Sequence, residues 1–289
     1  MNLPWFPSPS SPNVGSAEVI YGMYVHLVRL FTLLPPRSGP ALLSAGVQER
    51  WQDEMARKDW YEQGKQYWAQ SDLSNAGVLS GLEFIHDSDI EDSFDFLTRQ
   101  PFGDNGAPLW PLPEQPSDTV ALDVGAGIGR VSGALLRRLC SSVDLVDGCQ
   151  QFVEHAQATL GQQPPPEGCG RMTRFECRDL QDYVPEAGRY HLIWIQWVVG
   201  QCTDADLTRL LGDCKQALAP GGVIIVKDNV LENLEDGMDY LVDEEDKSVI
   251  RSREALLHLL QNAGLNVMAA ADARLDCEGL HPVMCLALM

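Results

Sequence analysis

The sequence predicts an α/β protein with a mostly parallel sheet, a late antiparallel strand and a helical N-terminal extension. Three observations carry this reading. Apolar runs of strand length alternate with helix-patterned segments from residue 119 onward, a glycine-rich turn joins the first strand to the first helix, and an aromatic, charge-interspersed segment stands ahead of both. A chain of 289 residues is long enough for one full core plus an appendage, since domains run to roughly 100–200 residues. With 45% hydrophobic residues it carries far more apolar surface than a disordered chain.

Taken in order, residues 1–46 differ in composition from the rest of the chain: a Pro/Ser start, an apolar run from Ala17 to Leu34, then Pro35 and Pro36. No basic residue precedes the run, as a signal peptide would require, and a membrane span would have to carry Glu18, His26 and Arg29. The expectation is a poorly ordered or loosely docked extension, with organelle targeting as the alternative. Residues 47–100 read as a helical cap, with Trp51, Met55, Trp60, Tyr61, Tyr67 and Trp68 between charged residues. Residues 101–118, rich in Gly and Pro, read as an irregular surface insertion.

The sheet domain then spans 119–289. Strands are expected at Thr119–Val124, Ser142–Val146, Thr173–Cys177, His191–Ile195, Val223–Lys227, Asn266–Ala271 and Val283–Leu288. Helices are expected at Arg130–Leu139, Gln151–Leu160, Ala205–Ala217 and Arg253–Ala263. Eight acidic residues and no basic one lie between Glu232 and Asp246, which reads as a solvated surface loop or, more sharply, as a rim that selects a cationic ligand.

The formal net charge of −20 repels phosphate backbones, so nucleic acid is not an expected partner. The eight cysteines show no C-x-x-C pair and no metal-like spacing, which points to reduced, buried thiols and no metal site. A cytoplasmic location is expected, with the nucleus as a second one. No membrane association is expected for the sheet domain.

Asp123-Val-Gly125-Ala-Gly127-Ile-Gly129-Arg130 sits where the first strand turns into the first helix. Glycines there let the backbone approach a ligand in the crevice where open α/β sheets bind nucleotides. The dinucleotide fingerprint G-x-G-x-x-G needs a third glycine where this chain has Arg130, so that reading fails. About 20 residues on, Asp147 ends the next strand, where a carboxylate can accept hydrogen bonds from both ribose hydroxyls; on its own it reads equally well as a solvated strand-end acid.

The D-x-G-x-G-x-G turn resembles the first motif of class I methyltransferases, which carry a Rossmann-like sheet and bind S-adenosylmethionine. The resemblance narrows at Ile193-Trp194-Ile195-Gln196-Trp197-Val198-Val199-Gly200 and at Val226-Lys227-Asp228-Asn229, where the chain is similar to the α-N-terminal protein methyltransferases. That resemblance implies a cofactor site of Gly125, Gly127, Arg130, Asp147, Gly148, Cys149, Leu180, Gln181 and Gln196. It implies a substrate site of Leu79, Ile85, Tyr67, Trp68, Trp197 and Asp243, and catalytic positions at Asp246, Asn229 and Gln201. The implied reaction is methyl transfer to the α-amino group of protein N-terminal tails with basic residues, read as Xaa-Pro-Lys or Xaa-Pro-Arg.

Two positions depart from the family pattern. Gln201 stands where many members have histidine, so a titratable group beside the amine is missing, and the turn Ser80-Gly81-Leu82-Glu83-Phe84-Ile85 alters the entrance to the peptide channel. Rival readings are a small-molecule amine methyltransferase on the same fold and a catalytically impaired cofactor-binding interaction protein. Without the resemblance, Trp197, Tyr67 and Trp68 read as core aromatics, and Asn229 as a strand-capping amide.

Overall fold

A computed structural model describes residues 51–99, 106–110, 118–162, 164–232, 239–275, 277 and 280–289. The expected extension 1–46 and most of the insertion 101–118 lie outside the described residues. Among the described residues, no helix is long and apolar enough to cross a membrane.

The segment ahead of the sheet is helical. Helix α1 (Glu54–Trp68) is capped by Asp53, whose side chain accepts from the Ala56 N–H at 2.8 Å; a short α2 (Asn75–Val78) and a 3-10 turn (Glu83–Ile85) lead into α3 (His86–Thr98). Of the insertion, Trp110 is buried, donating its backbone N–H to Leu97 and its indole N–H to Leu139, so this part is docked and not free surface.

Strands β1 (Val120–Val124), β2 (Ser142–Asp147), β3 (Arg171–Cys177), β4 (Tyr190–Gln196) and β5 (Leu218–Leu231) pair in parallel in the order β3-β2-β1-β4-β5. Buried on both faces, β1, β2 and β4 read as continuous apolar runs. The helix between β1 and β2 starts at Arg130, runs through a π-type turn (Ser132–Leu136) and closes as α4 (Arg137–Leu139); α5 (Gln150–Ala156) ends in a π turn (Gln157–Gly161). Helix α6 (Asp204–Ala217) precedes β5.

The chain ends in a hairpin of β6 (Tyr240–Asp243) and β7 (Ser248–Ser252), then α7 (Arg253–Asn262), β8 (Val267–Asp272) and β9 (Val283–Leu288). The late antiparallel strand is β9, which pairs with β5 from Ile224 to Asn229 and with β8. Beyond Asn229, β5 instead pairs in parallel with β7, at Val230 and Leu231.

One expectation is corrected here. Residues 240–252, from the end of the acidic stretch to the start of α7, are a hairpin and not a loop. Tyr240 and Val249 enter an apolar cluster with Trp51, Trp60 and Ala255, and that burial holds two short strands whose acid-rich turn offers little sequence signal. Residues 233–238 lie outside the described residues.

Candidate functional site

The strand order reverses at β1, since the chain steps outward through β2 and β3 and then returns to β4 on the other side. A crevice opens there beyond the carboxyl ends of the strands. It is a cavity of about 680 Å3, within the roughly 300–1,000 Å3 usual for ligand pockets. All nine residues expected at the cofactor line it, as do Trp68, Trp197 and Gln201.

The glycine turn is shaped by its neighbours. Gly125 has φ +70°, and a β-carbon there would lie 2.5–2.7 Å from the side chain of Val198, so only glycine lets the turn pack against the segment after β4. Gly127, at φ +56°, donates its N–H to Asp147 Oδ2 at 2.8 Å, and the Cys149 N–H reaches Oδ1 at 2.8 Å. An ionised carboxylate has about four acceptor sites, so Asp147 is oriented by two backbone donors and keeps capacity for two hydroxyls. Burial pushes its pKa up, with the two backbone N–H groups pulling against it. This is a held ligand-facing acid and not a freely solvated one. Leu180, buried after β3, supplies an apolar wall. A nucleoside with vicinal hydroxyls fits this combination of oriented acceptors and apolar wall.

At the other end of the cavity stand Arg130 and Gln196. Arg130 Nη1 lies 2.8 Å from Asp89 Oδ2, and its guanidinium sits 5.4 Å from the centroid of the Trp197 ring. Gln196 donates through Nε2 to both oxygens of Asp89 at 2.9 Å and accepts from the Trp194 indole at 2.9 Å. The resemblance places these two side chains at the methionine end; their anchor, Asp89, was not foreseen. An acidic residue on an amphipathic helix reads as solvated face, and nothing local marks this one as buried.

Trp197 has φ +52°, an outlier for a bulky residue, of the kind that persists only where surroundings impose it. Its N–H donates to the Lys227 carbonyl at 3.1 Å, and the next two N–H groups, of Val198 and Val199, donate to Asp228 Oδ2 at 3.0 and 3.1 Å. Asp228, within the Val226-Lys227-Asp228-Asn229 stretch, is thus the residue that holds the strained turn. Burial raises its pKa to about 6, against three backbone N–H donors that favour the anion. The indole N–H of Trp197 and the Oδ1 of Asn229 are buried without a hydrogen-bond partner, which leaves each with spare capacity. One face of Trp197 is taken by Arg130, which leaves the other for a ligand.

Helix α1 roofs the cavity through contacts with the sheet domain. Lys65 pairs with Asp179 after β3, Arg57 and Tyr61 bind Asp206 on α6, and Trp60 Nε1 donates to the Gln201 carbonyl at 3.1 Å. Beside this roof the β6–β7 turn arrives. A β-carbon on Gly64 would lie 3.3 Å from both the Asp246 carbonyl and Gln201 Oε1, so α1, the acidic turn and Gln201 converge on one spot. Tyr67 feels the charges of Glu245, Asp246 and Asp243, which together with burial raise its pKa. Asp246 accepts from the Ser248 N–H at 2.9 Å, and its own pKa is raised, chiefly by burial.

The remaining expected residues fall outside the cavity lining. Leu79, just after α2, and Ile85, in the turn before α3, are buried, and Val78 at the end of α2 reaches the cavity instead. Asn229, Tyr67, Asp243 and Asp246 are likewise not part of its wall. Cys140, Cys149, Cys202, Cys214 and Cys285 are buried and unbridged.

Comparison with known proteins agrees with this geometry. Residues 56–289 match the family described as AdoMet dependent proline di-methyltransferase. The chain is 37% identical to the mouse N-terminal Xaa-Pro-Lys N-methyltransferase 1, over 73% of this chain and 87% of that protein. It is 34% identical to the Arabidopsis thaliana alpha N-terminal protein methyltransferase 1, over 79% and 81%. A solved SAM-dependent methyltransferase from Leishmania major superposes with a TM-score of 0.68 at 30% identity, covering 80% of this chain and 83% of that one. The chain therefore belongs to the AdoMet-dependent proline di-methyltransferase family and is an S-adenosylmethionine-dependent methyltransferase.

Proposed function

We propose that this enzyme methylates the α-amino group of protein N-termini whose second residue is proline and whose third is basic. The observation that carries the reading is the meeting of Gln201, which lines the cofactor cavity, with α1 and the acidic β6–β7 turn at Gly64. A cationic chain entering beside that turn ends at the cavity. The mouse relative, whose name specifies Xaa-Pro-Lys N-termini, supports the same substrate.

Bound S-adenosylmethionine supplies the methyl group as a sulfonium. The protein must then present a neutral amine in line with it, and positioning is the larger part of that task. An α-amino group titrates near 7.7–8.0, so roughly a quarter is free base at about pH 7.4. Asp246, made more basic by burial, would receive the proton directly or through water, while Gln201 can accept a hydrogen bond but cannot hold the proton as a cation. Trp197 gives an aromatic face that tolerates both the amine and the methylated cation. Proline brings little entropy to lose, and a basic third residue meets Asp243 and Asp246.

The test is methyl transfer to an Xaa-Pro-Lys peptide, beside the same peptide N-acetylated and a version with glutamate third. Acetylation should abolish transfer, and glutamate should lower kcat/KM by about tenfold or more, the worth of a charge-assisted hydrogen bond. Equal rates with lysine and glutamate would return a small amine to first place as substrate.

A further inference from the structure

We propose that Asp89 is a positioning residue for the cofactor's amino-acid end, holding Arg130 and Gln196 in the orientation that receives it. This rests on the assignment of the cavity to S-adenosylmethionine. The carboxylate lies on α3, outside the sheet, and is 0% exposed. It meets three side chains from three other parts of the chain: Arg130 after the glycine turn at 2.8 Å, Gln196 at the end of β4 at 2.9 Å, and Lys227 on β5 at 2.7 Å. Burial alone would raise its pKa, but Lys227 and Arg130 outweigh that and hold it below the ordinary carboxylate range. It is an anion at neutral pH.

The geometry separates two jobs. Lys227, also fully buried, is the structural counter-ion: its ammonium additionally reaches Ser93 Oγ at 2.8 Å and Asp92 Oδ2 at 3.3 Å. Arg130 and Gln196 are different because both also line the cavity. Arg130 has five N–H donors, and Asp89 together with His86 Nδ1 at 3.3 Å engages those on Nη1. The rest of the fork stays available for a carboxylate in the cavity. Gln196 is fixed by donating to Asp89 and accepting from Trp194, so its amide has one rotamer and one sense. Because Arg130 also packs on Trp197, the same anchor sets the wall beside which the amine must sit. Pre-orientation of this kind raises affinity by removing rotamer entropy that binding would otherwise cost.

Removing Asp89 alone would leave Lys227 buried with less counter-charge, so an Asp89→Asn variant is at risk of misfolding. The double variant Asp89→Leu with Lys227→Met removes anion and cation together, offers no acceptor, and leaves Arg130 and Gln196 in place but unanchored. Calorimetric titration of the full-length double variant with two probes tests the proposal: S-adenosylhomocysteine, which carries the amino-acid end, and 5′-methylthioadenosine, which lacks it. The expected result is a loss of about tenfold or more in affinity for the first and less than about twofold for the second. Equal losses for both probes would mean that the whole cavity is distorted, and wild-type affinity for both would mean that Arg130 and Gln196 need no anchor; either overturns the proposal. Wild-type protein that binds neither probe would instead overturn the cofactor assignment beneath it.

Discussion

Alanine at Gly125 and at Gly127 should have different effects, although the two glycines are separated by one residue in the same turn. Both have positive φ, +70° and +56°, so each alanine incurs a left-handed strain of about 1–2 kcal/mol. At Gly127 little more is added, since the new β-carbon would stand 3.4 Å from Val78 Cγ1, an ordinary contact. At Gly125 it would lie 2.5, 2.6 and 2.7 Å from three carbons of Val198. Val198 cannot withdraw freely, because its N–H is fastened to Asp228 at 3.0 Å. Overpacking of this kind costs about 1–3 kcal/mol more. Gly125→Ala should therefore be the less stable variant by about 1–3 kcal/mol, or roughly 2–12 °C in Tm for a domain of this size. Urea denaturation of both variants measures the difference. Titration with S-adenosylhomocysteine should show a further separation, since displacing Val198 moves Trp197 beside it. Equal stability losses in the two variants would show that the Val198 contact is not what requires glycine.

Two further outcomes are expected. Burial raises the Asp123 carboxyl to about 6, so the folded state holds a proton that the unfolded chain, at about 3.9, has released. Stability from this group is therefore present at low pH and falls as pH rises, by about 1 kcal/mol between pH 5 and pH 7. Asp123→Asn, which keeps an acceptor for the Ser132 N–H and Oγ at 2.9 and 2.7 Å, should flatten the pH dependence of urea stability by that amount, and an unchanged slope would refute the assignment. Asp246→Asn should lower kcat more than it weakens S-adenosylhomocysteine binding, and raising the assay pH by about one unit should restore part of the rate; no recovery would make electrostatic placement, not proton acceptance, its role.

The sequence by itself determined the features that short-range chemistry controls. The glycine turn, the strand-end Asp147 and the alternation of strands and helices are set by neighbours within a few residues, because backbone freedom, hydrophobic period and strand ends are local properties. Those signals marked the turn and the acid, the family resemblance supplied the rest of the cofactor set, and all nine residues line one cavity. The tertiary structure alone decided which charges are buried and what they hold. Asp89 meets Gln196 across 107 residues and Lys227 across 138, and Asp228 ties down a turn 30 residues before it. An aspartate looks the same in sequence whether it faces water or anchors three partners, since the cost of burying it is offset only by groups that folding brings from elsewhere. The β6–β7 hairpin is the same case in apolar form. Tyr240 and Val249 become strand residues because Trp51 and Trp60, nearly two hundred residues earlier, cover them. That contact brings the acidic turn to the edge of the site.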